Sequence, residues 1–365
     1  MVTVTTGSLS RVFVAVFAWF AFGLSIGSYS FVHAYQDGWV RVEVARDTWV
    51  SDFSSERNGS NGAAPRLKLK SIQELSIIDF QPGDFKGKEI AEAKLMLKVA
   101  ADKPIERVTL STITADWVEG NGTSYQVVPG ASTFRHRSHP KETWYGSDFT
   151  AVCIGQGNSL YASVDAKPAK ESGWVELDIP PELLLARLHG LSYGIVLMDD
   201  TGSTWTRKGD EFKLELFPNR YVYSRDSNRS SSPYIRVRFA PNKPAEPKKE
   251  SLSSLKDLRY LPPEKQDPRP RLQWQFDTTA LTNVIGFRAT MNGEAVGPYW
   301  VPSIRSHRKG VFTMPLEELL ANDSGTSAKF SIAAVSKSGV MSDTASIEVP
   351  ILKKEELPAL LKPIP

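Results

Sequence analysis

The chain has 365 residues, 41% hydrophobic, 10% aromatic and 23% charged, enough for two domains with packed cores, which excludes wholesale disorder. Lys+Arg 44 against Asp+Glu 41 leaves a formal charge of +3, too flat a balance for a protein held on nucleic acid by phosphate contacts. The single cysteine, Cys153, rules out an intrachain disulfide framework and any cysteine-cluster metal site.

Residues 1–34 read as an export leader. Arg11 is followed by an almost wholly apolar run from Val12 to Ile26. Val32 and Ala34 then stand three and one residues before a cut that a signal peptidase accepts. The same run is long enough to act instead as an uncleaved anchor, the one membrane contact the sequence suggests. Either way the rest of the chain is expected outside the cytoplasm, extracellular or at the cell surface. A cysteine with no partner to mispair with suits that compartment. Cys153 lies in the apolar run TAVCIG and reads as a small core residue rather than a catalytic thiol.

Past residue 38 the dominant signal is alternation. WVRVEV (39–44), RLKLK (66–70), AKLMLKV (93–99), WVELDI (174–179), EFKLELF (211–217) and YIRVRF (234–239) switch between apolar and polar at every residue. Period two buries one face of a strand and wets the other, the pattern of antiparallel sheets. The expected class is all-β, with a jelly-roll sandwich over residues 38–240. One helix is expected at 180–190, opened by two prolines, stopped by Gly190, and short enough to plug one end of the sandwich. Residues 241–271 carry seven prolines and many charges and read as a semi-rigid linker. Alternation resumes over 272–351, about the size of one immunoglobulin-like sandwich, and 352–365 reads as a polar tail.

Several motifs recur in a recognisable order. Ala93, Leu95 and Leu97 form an A-x-L-x-L strand. Trp117 and Glu119, then Trp174 and Asp178, then Tyr193, Gly194 and Leu197, then Pro233, Ile235 and Val237 follow it. This order resembles the secreted DNRLRE-type β-sandwich, a carbohydrate-binding-module-like family, and the likeness spans roughly residues 40–240. The resemblance implies a polysaccharide partner. Trp274, the Gly286–Phe287 pair and the alternating Phe330, Ile332 and Ala334 are similar to a fibronectin type III domain, with Ala328 where that family places a tyrosine. Such a domain implies a spacer in a secreted chain.

Candidate chemistry is sparse. Asp116 and Glu119 flank Trp117, and a hydrolase or lyase would need such carboxyls to converge in one groove. Asp199 and Asp200 open a turn whose oxygens suit a structural calcium ion, the one cofactor the sequence suggests. His136 and His139 lack helical zinc-site spacing and precede Pro140, so a polar loop is the simpler reading. His189, beside Gly190 at the helix end, reads as a dipole cap, and Trp174 as core.

Rings in loops are the better lead. Flat rings stack on sugar C–H faces, and arginine pairs with carboxylate or sulfate in a fork. Trp144 and Tyr145 sit in the loop HPKETWYGSD, Trp205 lies between two threonines, and Arg220, Tyr221 and Arg225 follow in FPNRYVYSR. These six residues are the expected ligand site, provided the loops at 140–148, 199–208 and 218–228 meet on one face. The expected function is a non-enzymatic module that binds polysaccharide, acidic by the arginine content. A structural or adhesive envelope scaffold is the alternative, with these rings buried or scattered.

Overall fold

In the computed structural model the described residues are 33–34, 38–85, 89–144, 148–156, 159–240, 252–263, 270–296, 310–316 and 326–351. Most of the expected leader and the whole tail from 352 lie outside them. The first module contains β1 (His33–Ala34), β2 (Trp39–Ser51), β3 (Arg66–Leu69), β4 (Glu74–Phe80), β5 (Ile90–Lys98), β6 (Arg107–Thr112), β7 (His136–Ser138) and β8 (Glu142–Thr143). It continues with β9 (Tyr161–Pro168), β10 (Trp174–Asp178), α1 (Pro181–Leu188), β11 (Ile195–Asp199), β12 (Thr204–Lys208), β13 (Glu211–Glu215), β14 (Arg220–Tyr223) and β15 (Tyr234–Phe239).

The all-β expectation holds, but the two facing sheets of the expected jelly-roll sandwich are joined into one closed ring. The order β2-β15-β5-β10-β9-β6-β11-β4 returns to β2, and each neighbouring pair is antiparallel. β2 closes it. Its first half pairs with β15 (Val40↔Val237), and after a register shift between Val44 and Arg46 its second half pairs with β4 (Asp47↔Ile78). A bulge bends a strand and raises its twist, which lets one 13-residue strand turn the corner. Closure leaves the ring without a free edge.

Inside lie Val42, Ile78, Phe80, Leu95, Leu97, Leu110, Ile195 and Ile235, all essentially inaccessible. The outer faces of the two halves differ. Over β4 and β11, Leu75, Ile77 and Val196 point outward and are covered by Ile113, Trp117, Phe134, Trp144, Phe149 and Cys153 from the excursion between β6 and β9. All seven residues of β4 are therefore buried. Over β2, β15, β5 and β10 the outward face keeps the expected polar alternation.

α1 forms where the prolines and Gly190 placed it. Leu183 and Leu184 plug the barrel, while Ala186 meets Ile285 and Val335 of the second module. The cap expected of His189 is wider than that: its carbonyl accepts from Arg288, and its Nε2 lies 3.0 Å from the Lys337 carbonyl oxygen.

The second module contains β16 (Lys256–Leu261), β17 (Arg271–Gln275), β18 (Val284–Met291), β19 (Glu294–Val296), β20 (Val311–Pro315), β21 (Ser327–Ser336) and β22 (Ala345–Pro350). Its sheets run β16-β17-β20 and β19-β18-β21-β22. Strand β16 lies within the expected linker. The prolines and charges of that segment masked an apolar series, Leu252, Leu255, Leu258 and Tyr260, which packs on the core around Trp274. β16 is an edge strand, where flanking prolines cost no ladder hydrogen bonds.

Leu184 is fully buried where the helix enters the barrel. Leu184→Ala is expected to destabilise the first module by about 2–5 kcal/mol through lost contacts and a residual cavity, read as a lower denaturant midpoint at unchanged slope.

Candidate functional site

Cross-strand register builds the outward face of β2, β15, β5 and β10 in rows. Glu43, Tyr234, Met96 and Glu176 stand side by side, and Arg41, Arg236, Lys94 and Asp178 form the next row. Trp39 lies opposite Arg238, and Trp174 opposite Lys98. Alternation puts the rings and charges on the same side of each strand, because the residues between them, Val42, Ile235, Leu95 and Leu177, fill the core, and the register joins the four strands into one face.

The rings form a floor under cations. Trp174 and Tyr234 meet edge-on at 5.3 Å. The Arg41 guanidinium sits 3.8 Å from the Tyr234 ring centre, and those of Arg236 and Arg238 lie 4.9 and 5.5 Å from that of Trp39. Cation–π attraction of this kind contributes about 0.5–2 kcal/mol per pair and spreads long side chains flat over the sheet. Carboxylates tie part of the array: Lys94 to Glu176 at 2.5 Å, Lys167 to Asp178 at 2.6 Å and Arg41 to Glu43 at 2.8 Å. The Lys167 partner holds the Asp178 carboxyl below the usual carboxylate range. At one end the face sinks into a groove of about 260 Å³. It is lined by Ala169, Lys170 and Glu171 from the β9–β10 turn and by Trp174, Tyr234 and Arg236 from the strands.

Among the described residues the loop site expected from sequence is not assembled. Trp144, expected as an exposed platform, is 1% exposed. Its indole N–H donates to the Thr133 carbonyl and its ring packs edge-on against Phe149. Tyr145 lies outside the described residues. Trp205 is 65% exposed, on the β12–β13 hairpin. Tyr221 is half-buried with Arg66 4.8 Å from its ring centre.

The arginines and acids also have other work. Arg220 is wholly buried and pairs with Asp199 at 2.6 Å. Its other N–H groups donate to the Pro104 and Gly202 carbonyls and to Thr204 Oγ1. It is a strut and has no face toward a ligand. The calcium expected at Asp199 and Asp200 meets the same objection. Burial pushes Asp199 up while Arg220 holds it, and Asp200 pairs with Arg107 at 3.0 Å. Arg225 clasps Glu119 through two bonds, 2.9 and 3.2 Å, and Asp116 pairs with Arg46. The carboxyls at 116, 119, 199 and 200 are thus held by four different arginines. His136 of β7 and His139, which directly follows that strand, meet Nδ1 to Nδ1 at 3.2 Å, and burial pushes His136 down.

Sequence reasoning missed Trp39, Tyr234 and the basic rows; Trp174, read as core, is buried at 6% exposure and packs with Met96 and Tyr234. The signal was present in WVRVEV, AKLMLKV, WVELDI and YIRVRF, whose polar positions are mostly charged. The strand pairing that collects them on one face was not.

No protein-family model and no curated protein matches the chain. Among solved structures it is similar to the spore cortex lytic enzyme SleM of Clostridium perfringens, at 13% identity and a TM-score of 0.21, with 33% of each chain covered. It is also similar to the Endo-D glycoside hydrolase domain of Streptococcus pneumoniae R6, at 10% identity and a TM-score of 0.20, and to a beta-1,2-glucanase from Parabacteroides distasonis, at 13% and 0.22. The last two alignments cover 78% of this chain and 32% of the other. The chain thus spans about a third of the length of these structures, and likenesses this slight carry no argument about function.

Two outcomes follow from the buried groups. Arg220→Ala is expected to cost about 3–5 kcal/mol in chemical denaturation, because it strands the Asp199 carboxylate without its partner. Cys153 is fully buried, and burial pushes its thiol up, so a thiol reagent such as Ellman's should label the native chain only at the rate of unfolding and react at once in denaturant.

Proposed function

We propose that the barrel is a non-catalytic module that binds an anionic polysaccharide along the outward face of β2, β15, β5 and β10, in an exported chain whose second module is a fibronectin type III-like spacer. The observation that carries this reading is the set of cations laid over Trp39 and Tyr234 beside the groove that Trp174 lines. A uronate or sulfate would pair with Arg236 and Lys170, while Trp174 and Tyr234, buried at 6% and 7% exposure, would support those cations from below. Carboxylates bound to Lys94, Lys167 and Arg41 hold those bases in place and leave Lys170 at the rim.

The motif order resembling the DNRLRE-type family supports the same reading. Its Trp174 and Asp178 stand on the outward face of β10, and Ile235 and Val237 on the inward face of β15. The second module's three-plus-four strand arrangement supports the spacer, and so does the Trp274 ring, packed on Phe312 and Phe287 in its core. The apolar run from Val12 to Ile26 supports export.

The test is affinity electrophoresis of the full chain in gels carrying polygalacturonate, a sulfated galactan or a neutral β-glucan. Retardation is expected in the two anionic gels only and should fade as salt screens the charges. Arg236→Ala is expected to weaken binding about tenfold, the loss of one charged contact of about 1.5 kcal/mol. Lys170→Ala, at the rim, should weaken it without touching the sheet. A folded chain that migrates freely in every gel would leave the scaffold reading in possession, as would variants that bind like the wild type.

A further inference from the structure

Asp47, Glu119 and Asp226 come from three separate segments, namely β2, the loop after β6 and the turn after β14. One carboxylate oxygen from each lies within 4.8 Å of the others. Asp47 shares the inward parity of β2 with the core residue Trp49 and is only 1% exposed. Its Oδ2 accepts from the Arg225 backbone N–H at 2.8 Å, but its Oδ1 is buried without a hydrogen-bond partner. A buried carboxylate oxygen left in that state is costly and calls for a missing partner.

The charges around it indicate which partner. Glu119 accepts from the Asp47 backbone N–H at 2.7 Å and from Arg225, whose guanidinium also lies 3.8 Å from Asp226. Three carboxylates against one guanidinium leave two formal negative charges, and Arg225 reaches the cluster from a part-exposed position. Oxygen ligands drawn from three loosely connected segments suit a large, hard ion with flexible coordination better than a small one that demands an octahedron. We propose that Asp47, Glu119 and Asp226 bind a calcium ion that ties β2 to the loops after β6 and β14, with Arg225 as the resident counter-charge it competes against.

This site is separate from the proposed glycan face, and its test does not involve a sugar. The full chain, stripped with chelator and dialysed, is titrated with CaCl2 and with MgCl2 at pH 8, following heat and thermal midpoint. One calcium ion per chain with a raised midpoint, and a much weaker response to magnesium, is the expected result. Asp226→Asn, isosteric and at an exposed turn, should weaken calcium binding at least about tenfold, since affinity follows ligand charge. Arg225→Gln keeps the backbone N–H to Asp47 and removes the competing charge, so it should bind calcium more tightly than the wild type. No calcium bound at millimolar concentration, or equal binding by wild type and Asp226→Asn, would overturn the site. Weaker binding by Arg225→Gln would overturn the competition.

Discussion

The first module depends on the corner that β2 turns. One strand hydrogen-bonds to β15 before its bulge and to β4 after it, and this double pairing closes eight strands into a ring. Without it there would be two sheets with open edges, and the inward Val42 and the buried Asp47 would not belong to one core. Closure also fixes which residues face outward on each half of the ring. The half covered by the excursion after β6 becomes a second apolar layer, and the other half remains charged.

Electrostatics serves two ends in this barrel, and burial separates them. Arg220 is enclosed, satisfied by Asp199 and by backbone carbonyls, and holds β14 to the loop after β11. Arg41, Arg236 and Arg238 lie over rings on the outward face of the barrel, Arg41 also paired with Glu43 and Arg238 with Glu92. The chemistry of the side chain is the same in both places. The surroundings decide whether it acts as a strut or as a contact.

The joint between modules follows from a helix that has two jobs. Leu183 and Leu184 close the barrel end, and Ala186, one turn on from Leu183, packs against Ile285 and Val335. Hydrogen bonds from Arg288 to His189 and between His189 and Lys337 fasten the same joint. The prolines of the connecting segment therefore do not by themselves set the spacing between the modules.

The sequence by itself determined the strand class, the helix at 180–190 and the inward set of each alternating strand, because side-chain direction along a strand depends only on parity. It also carried the basic and aromatic residues of the proposed face in plain view. It misread Trp144, Arg220 and Asp199, because a polar loop sequence does not reveal that another segment will lie over it. It misread the apolar series at 252–260 because prolines and charges dominate that composition. Ring closure, the rows of cations over Trp39 and Tyr234, and the meeting of Asp47, Glu119 and Asp226 all join residues far apart in the chain. Only long-range pairing could decide these, since each segment's local pattern is satisfied by many neighbours and the packed barrel admits one.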